Sequence, residues 1–434
     1  MKHRNINYMR RIKAVLLVAG ISVFASQATT IDECLKLACE HYPLIEKYGI
    51  VEQMSSLELS DIDKTWLPRV NVYAMGTAQN HSAGVPSDLK AMLDLVNIKA
   101  KGMGKFTYQA GIGLWQNIWD GGATKAGREA VRAGKTAARA EVDAGIYQVR
   151  SHVEDIYFGV LLLQEQIKEV NNTVNLLEST HKDMQSMYRN GTAMLADVEM
   201  IEAQILTLQQ KITEAQSNIT GLKGMMTIFT GKDMSQEPFE MPVVTVPDGN
   251  TSNRPELTMF DKKIELNNAK RNRVKSSTMP TIGFFADAYY GYPGLDLVQS
   301  YRKRDPSFNV LAGVRVSWNL HSLYTKKNQL KELDEANLSL QSDRDIFLFN
   351  SSLESEQFRD QIKGLDEVIK NDAKIVDLRK KVTHAAESQL HEGIIDATAL
   401  LTKVTDENQA RLSAACHQIE RLKQIYKLKN TLNR

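Results

Sequence analysis

The side chains best suited to metal or nucleophilic chemistry are nine histidines and three cysteines, and their spacing supports neither. His384 and His391 lie seven apart on one helical face, with no suitably spaced carboxylate or cysteine read beside them. Cys34 and Cys39 are five apart, which on a helix turns them to different faces and makes a poor disulfide. Pairing of one of them with Cys416 stays open beside the reading of inert buried thiols. No G-x-x-x-x-G-K-[ST] or G-x-S-x-G run occurs, and Gly111-x-Gly113 lacks a third glycine. The expectation is no catalytic residue, no metal and no cofactor. The polar groups that stand out fall into two other sets. Tyr188 and Asp197 flank Gly191, and Glu392 and Asp396 flank Gly393, at two turns. Gln109, Asp287 and Arg315 sit on the polar side of alternating stretches.

The turns are the ends of very long helices. Ala123 to Asn190 is free of proline, rich in Ala, Glu, Gln, Lys and Arg, and reads as one helix. At ~1.5 Å per residue it would be ~100 Å long, too long to bury itself. It must lie along other helices. Ala126, Ala130, Ala133, Ala137, Ala140 and Ala144 form a heptad-like seam that admits a close neighbour, opposite a polar face with Lys125, Arg128, Glu129 and Arg132. The chain turns at Arg189-Asn190-Gly191-Thr192 and returns over Met194–Thr230.

Self-comparison shows that this plan occurs twice. Pro43 and Pro68 correspond to Pro255 and Pro280, 212 positions on in each case. Tyr157 then aligns with Phe358 and Gly191 with Gly393, at offsets of 201 and 202. Each half reads helix, strand, loop, strand, very long helix, turn, helix. The second long helix spans Leu323–His391, turns at Glu392-Gly393 and returns over Ile395–Leu428. The resulting division starts with a signal peptide (1–28), N-terminal helices (29–65) and a strand pair (66–120) with a loop at 81–105. A helical hairpin (121–231), a linker (232–254) and a helix (255–279) follow. A second strand pair (280–320) with a loop at 291–306 leads into the second hairpin and tail (321–434).

The strands carry period-two alternation. Phe106, Tyr108, Ala110, Ile112 and Leu114 share one face against Thr107, Gln109, Gly111 and Gly113; Phe308, Val310, Ala312, Val314 and Val316 repeat this against Asn309, Gly313, Arg315 and Ser317. The first strands, with Val70, Val72 and Ala74 and with Ile282, Phe284, Ala286 and Ala288, follow less strictly and put Asn71 and Asp287 opposite. Such alternation suits a transmembrane barrel strand with a wet lumen, and equally a soluble sheet with one solvated face. Trp66, Trp115, Trp119, Trp318, Tyr289, Tyr290 and Tyr292 cluster at strand ends, where an aromatic girdle would lie. Four strands cannot close a barrel, so a membrane role requires several chains to share one.

The N-terminus has a basic segment from Lys2 to Lys13, an apolar run AVLLVAGISVFA and a small-x-small site, Ser26-Gln27-Ala28, which reads as a cleaved secretory signal. Its five basic residues turn the formal charge of +2 for the whole chain into −3 for the remainder. That balance gives no reason to expect nucleic acid. No later run of 18 or more apolar residues exists, so any membrane insertion must use strands.

The order and duplication of these segments resemble the TolC-like outer-membrane efflux proteins. The residues that carry the likeness are the paired helix starts at Ile31–Leu44 and Arg254–Leu257, and the Leu67-Pro68 and Met279-Pro280 steps into the strands. The exit Ile118-Trp119-Asp120-Gly121-Gly122 and the turn from Tyr188 through Val198 match as well. The resemblance implies an α+β membrane protein, a homotrimer whose twelve strands form an outer-membrane β-barrel continued by an α-helical barrel across the periplasm. It implies outer-membrane lipid, a periplasmic adaptor and an inner-membrane pump as partners, and a passive exit duct for tripartite efflux or type I secretion. It also implies a gate at the tips, closed by Tyr–Asp links and narrowed by carboxylates. Tyr188, Gly191 and Asp197 fit that pattern, but its second-half counterparts are Leu390, Ala399 and Thr402, leaving Glu392, Gly393 and Asp396 as the nearby candidates. Gln109, Asp287 and Arg315 would line the barrel. The alternative is a periplasmic coiled-coil adaptor or scaffold, which shares the hairpins but needs no strand pairs.

Overall fold

Proline and capping residues set the first boundaries in the computed structural model, which describes residues 29–99 and 101–434. The signal peptide expected over 1–28 lies outside the described residues. Thr30 caps α1 (Ile31–His41), its hydroxyl accepting the Glu33 N–H at 3.3 Å. Pro43 ends that helix in a short 3-10 turn before α2 (Glu46–Lys64). Then follow β1 (Arg69–Ala78), α3 (Ser87–Leu95), β2 (Phe106–Trp119), α4 (Ala123–Tyr147), α5 (Val149–Arg189) and α6 (Leu195–Thr230). The second half is α7 (Pro255–Ser276), β3 (Thr281–Tyr292), α8 (Leu297–Lys303), β4 (Ser307–Ser317), α9 (His321–His391) and α10 (Ala397–Leu432). Pro255 opens α7 in the first turn, where its missing N–H costs no bond.

Two expectations are corrected. The single helix over Ala123–Asn190 divides at Gln148, whose φ of −64° and ψ of −22° stay right-handed helical, so α4 and α5 run on as one loosened rod. Its twin α9 is unbroken over 71 residues, ~107 Å at the helical rise. The loops at 81–105 and 291–306 are not plain loops: each contains a short helix, α3 and α8. Arg304, in the left-handed region at φ 58°, fastens the two together, its Nε donating to the Gly102 carbonyl at 2.8 Å while the Lys101 N–H reaches the Tyr301 carbonyl at 2.9 Å.

The helices form four parallel columns. Near the strands the row runs α2, α4, α7, α9; away from them it runs α6, α5, α10, α9. α4–α5 and α9 each fill a column alone, whereas the other two columns are assembled end to end. α10 meets α7 where the Asn253 N–H donates to the Leu432 carbonyl at 3.0 Å, and α6 ends at Gly231 against the His41 ring just before α2. The alanine seam of α4 is buried between α7 and α2, Ala133 only partly, because small side chains let both neighbours close in. Lys135–Glu52, Arg128–Asp63 and Lys263–Glu141 lace the outside of these helices. Exposed to solvent as they are, such pairs contribute little to stability.

Two large apolar clusters and a smaller one on α9 and α10 hold the columns. One lies at mid-height, where α1 and the linker 231–254 cover α5: Tyr157 stacks on Phe239 at 4.7 Å, and its hydroxyl lies within 2.9 Å of the Thr29 and Glu240 carbonyls. The linker continues across α9, with Val244 and Val246 against Phe358 and Ile362, so the repeat-related Tyr157 and Phe358 both serve to seat it. The other large cluster lies at the far end, around Leu177, Met184, Ile201, Leu390 and Leu400.

Candidate functional site

The strands form one antiparallel sheet in the order β1-β2-β3-β4, with both outer edges unpaired. Its register sorts the side chains onto two faces up to Asn117, beyond which a shift sets Trp119 opposite Ile282. Val70, Leu114, Ala286, Ala312 and their alternate neighbours share one face, and that face carries no charged residue on any strand. The other face holds Asn71, Tyr73, Gln109, Trp115, Phe285, Asp287, Tyr289, Asn309 and Arg315. A soluble sheet would bury the apolar face. Here that face is open, with Val72 79% exposed, Phe308 71% and Val316 65%, and on the edge strands much of the opposite face is open as well, Asn71 and Arg315 included. Among the described residues no helix is long and apolar enough to cross a membrane.

On the polar face the structure places the three lining candidates differently. Asp287 accepts a hydrogen bond from the Tyr73 hydroxyl at 2.8 Å, across two strand boundaries. Arg315 lies over the ring of Phe285 at 4.7 Å and over Trp115 at 5.9 Å, near the end of the sheet that joins the helices. Gln109 stands between Met75 and Gly291, nearer the loops. At the junction itself Gly121 and Gly122 turn through left-handed conformations, φ 68° and 84°, and Asp120 caps α4 by accepting the Thr124 N–H at 2.7 Å. A cavity of about 770 Å³ opens beneath it, lined by Asp61, Thr65, Arg69, Trp115, Asp120 and Arg273.

At the far end the two turns share one backbone design. The Gly191 N–H reaches the Tyr188 carbonyl and the Thr192 N–H the Met187 carbonyl, both at 2.9 Å; Gly393 and Ile394 repeat this with Leu390 and Gln389 at 2.9 and 2.8 Å. Both glycines are left-handed, φ 76° and 70°, the conformation that this helix ending requires. The capping carboxylates differ. Asp197 reaches back from inside α6 to the Met194 N–H at 3.3 Å, whereas Asp396 stands ahead of α10 and accepts the Ala399 N–H at 2.8 Å. Tyr188 is 44% exposed, and among the described residues nothing bonds its hydroxyl to Asp197. Glu392 lies on the wall of a cavity of about 450 Å³ between α5 and α9, together with Asp183, Met187, Glu387 and His391.

Other titratable groups serve the scaffold. His384 does have a carboxylate neighbour, Glu387, at 3.2 Å, which corrects the sequence reading; with no third ligand, the pair is a surface contact. No group of three metal-ligating side chains occurs among the described residues. The three cysteines are free, and burial pushes the Cys34 thiol up to about 12, so it is no thiolate. Glu154 on α5 is only 2% exposed, and its Oε2 has no partner. Burial raises its pKa to about 8 against the pull of Arg150, Lys427 and Lys429. Sequence reading missed Glu154, because a lone acid in a helix looks like any solvated one. It also missed the recumbent aromatic side chains of the polar face, although the glycines spaced two apart there were a visible signal.

A four-stranded sheet with one uncharged apolar face, continued by ~100 Å helical columns, defines the class: the chain has the fold of outer-membrane channels. The solved structure of the outer-membrane channel OprN matches with a TM-score of 0.66 and 12% identity over 93% of this chain and 89% of its own. VceC, an outer membrane protein of Vibrio cholerae, matches with a TM-score of 0.65 and 14% identity over 93% and 95% of the two chains. For CusC, whose structures concern transmembrane channel formation, the TM-score is 0.67 at 13% identity over 98% of each chain. At sequence level, residues 62–221, from the end of α2 through both strands into α6, match the family described as outer membrane efflux protein. The resemblance to TolC-like outer-membrane efflux proteins therefore stands. No curated protein matches the chain.

Proposed function

We propose that three copies of this chain form an outer-membrane exit duct that passes cargo from a periplasmic adaptor and inner-membrane pump to the cell exterior. One observation carries the reading: the sheet exposes an uncharged apolar face while both its edges stay unpaired. In lipid an open strand edge is costly, and β1 of one copy beside β4 of the next removes it. Three such sheets give twelve strands, with the polar face turned inward around water.

The helices support the same association. The outermost columns expose apolar side chains along their length: Leu338, Ile346, Phe349 and Leu353 on α9, and Ile50, Met54 and Leu57 on α2. Copies placed side by side would cover both. The two turns would then form a ring of six tips, with Tyr188, Gly191, Asp197, Glu392, Gly393 and Asp396 around the periplasmic mouth. No nucleotide motif accompanies this, so the driving energy would come from the pump. An adaptor or scaffold reading leaves the apolar strand face without a purpose. Fractionation tests the proposal: the protein should be recovered from outer membranes in detergent as an oligomer that heating dissociates. Recovery as a soluble periplasmic monomer would refute it.

A further inference from the structure

We propose that the bore of the strand region is set by glycines on its polar face, and that Gly283, lying under Trp115, is the position that sets it most. The inference rests on the duct reading above and concerns how wide that duct is. Glycine is unfavourable inside a strand unless another group must come close. On this face it recurs at Gly111, Gly113, Gly283 and Gly313, and each has a side chain of a neighbouring strand against it, an aromatic ring at Gly283 and Gly313. A Cβ added at Gly283 would stand 2.2 Å from Cζ2 of Trp115. At Gly313 it would meet Cε1 of Phe285 at 3.0 Å, and at Gly113 the Asn71 Oδ1 at 2.6 Å. At Gly111 it would meet Tyr289 Cβ at 2.7 Å, the Ala288 backbone carbonyl at 2.8 Å and the Tyr73 hydroxyl at 3.0 Å. Gly291 differs, its neighbour being the Tyr108 backbone carbonyl. Gly76, on the apolar face, has nothing within 4 Å.

The side chains are therefore lying down, not standing. Trp115 crosses Gly283, Phe285 crosses Gly313, and the guanidinium of Arg315 lies on both rings at 5.9 and 4.7 Å. This posture matters at the proposed size. A barrel of about eight strands is filled by its own side chains, whereas one of 16–18 leaves an aqueous channel. Twelve strands fall between, where side-chain height decides the free bore. Packed sheets stand ~10 Å apart, so an upright layer occupies about 5 Å of radius. Recumbent aromatic groups recover part of that, and the Arg315 guanidinium lies on the two rings' free sides.

The test uses the full-length protein in planar lipid bilayers. One added carbon is negligible in itself, so any large effect of Gly283→Ala must act by lifting Trp115. Single-channel conductance should fall by about twofold in Gly283→Ala, and the same change in a Trp115→Ala background should have no effect. Conductance of Gly283→Ala equal to wild type, or a fall that persists without Trp115, would overturn the inference. Should Gly283→Ala fail to assemble, the pair Gly313→Ala with and without Phe285→Ala decides by the same logic. The comparison is made in a Tyr188→Ala, Asp197→Ala background as well, so that a closed tip does not limit the current, and no channel at all in that background refutes the duct reading instead.

Discussion

The two repeats are built to one plan, yet they solve the same local problems with different chemistry. At mid-height, one turn before the residues that seat the linker, the first repeat buries Glu154 and the second buries Ser355 at the corresponding position. Ser355 is content there, donating to the Ser351 carbonyl at 2.7 Å. Glu154 keeps an unpartnered oxygen. At the tip, the acid that caps the return helix sits inside the helix in the first repeat, as Asp197, and ahead of it in the second, as Asp396. Duplicated backbones thus preserve the need for a cap but not the position that meets it. The apparent loss of an acid at Ala399 is, for the helix, a displacement by three residues.

The largest test of the comparison is at Glu154. Its pKa is raised from 4.5 to about 8, by burial above all, so between those values the folded chain keeps a proton that the unfolded chain has lost. Stability then falls as pH rises through that window, by an amount on the order of a few kcal/mol. Glu154→Gln should flatten the dependence, with thermal melts diverging from wild type above about pH 5 and most by pH 8. Replacing Ser355 by Ala should leave the pH profile unchanged. Parallel curves for wild type and Glu154→Gln would show that Glu154 is ionised in the fold.

Next in size are the turn glycines, where the repeats should behave alike. Gly191→Ala and Gly393→Ala each force a side chain into the left-handed region, at roughly 1–2 kcal/mol. Hydrogen exchange should show both tips opening to a similar extent, and a clear inequality would break the symmetry drawn here. The caps come last. Asp396→Ala should cost about 1 kcal/mol at the start of α10, and Asp197→Ala less, given its longer bond. Tyr188→Ala should cost little in stability, since the side chain is exposed and among the described residues its hydroxyl bonds nothing. If Tyr188 and Asp197 help to close the proposed duct, both substitutions should raise single-channel conductance. Unchanged conductance in both would assign closure to other residues.

Much of the fold was legible because it is periodic. The alternation of Phe308 to Val316 and the proline pairs 212 apart fix the strands and the duplication without reference to any contact. The turn glycines were legible for the same reason, since a left-handed helix ending is a local backbone requirement. The site was less so. Asp287 looked like a free lining charge until Tyr73, two strands away in the sheet, was seen to bond it. His384 looked isolated although Glu387 was only one turn on.

By itself, then, the sequence determined the elements, their twofold repetition and the apolar strand faces, because each depends on spacing along the chain that backbone geometry converts directly into direction. Only the tertiary structure decided that Tyr73 bonds Asp287 across the sheet, that α6 and α10 are continued by α2 and α7 to complete two columns, and that Trp115 lies flat over Gly283. Those depend on neighbours brought together across as many as 200 residues, and no local periodicity encodes them.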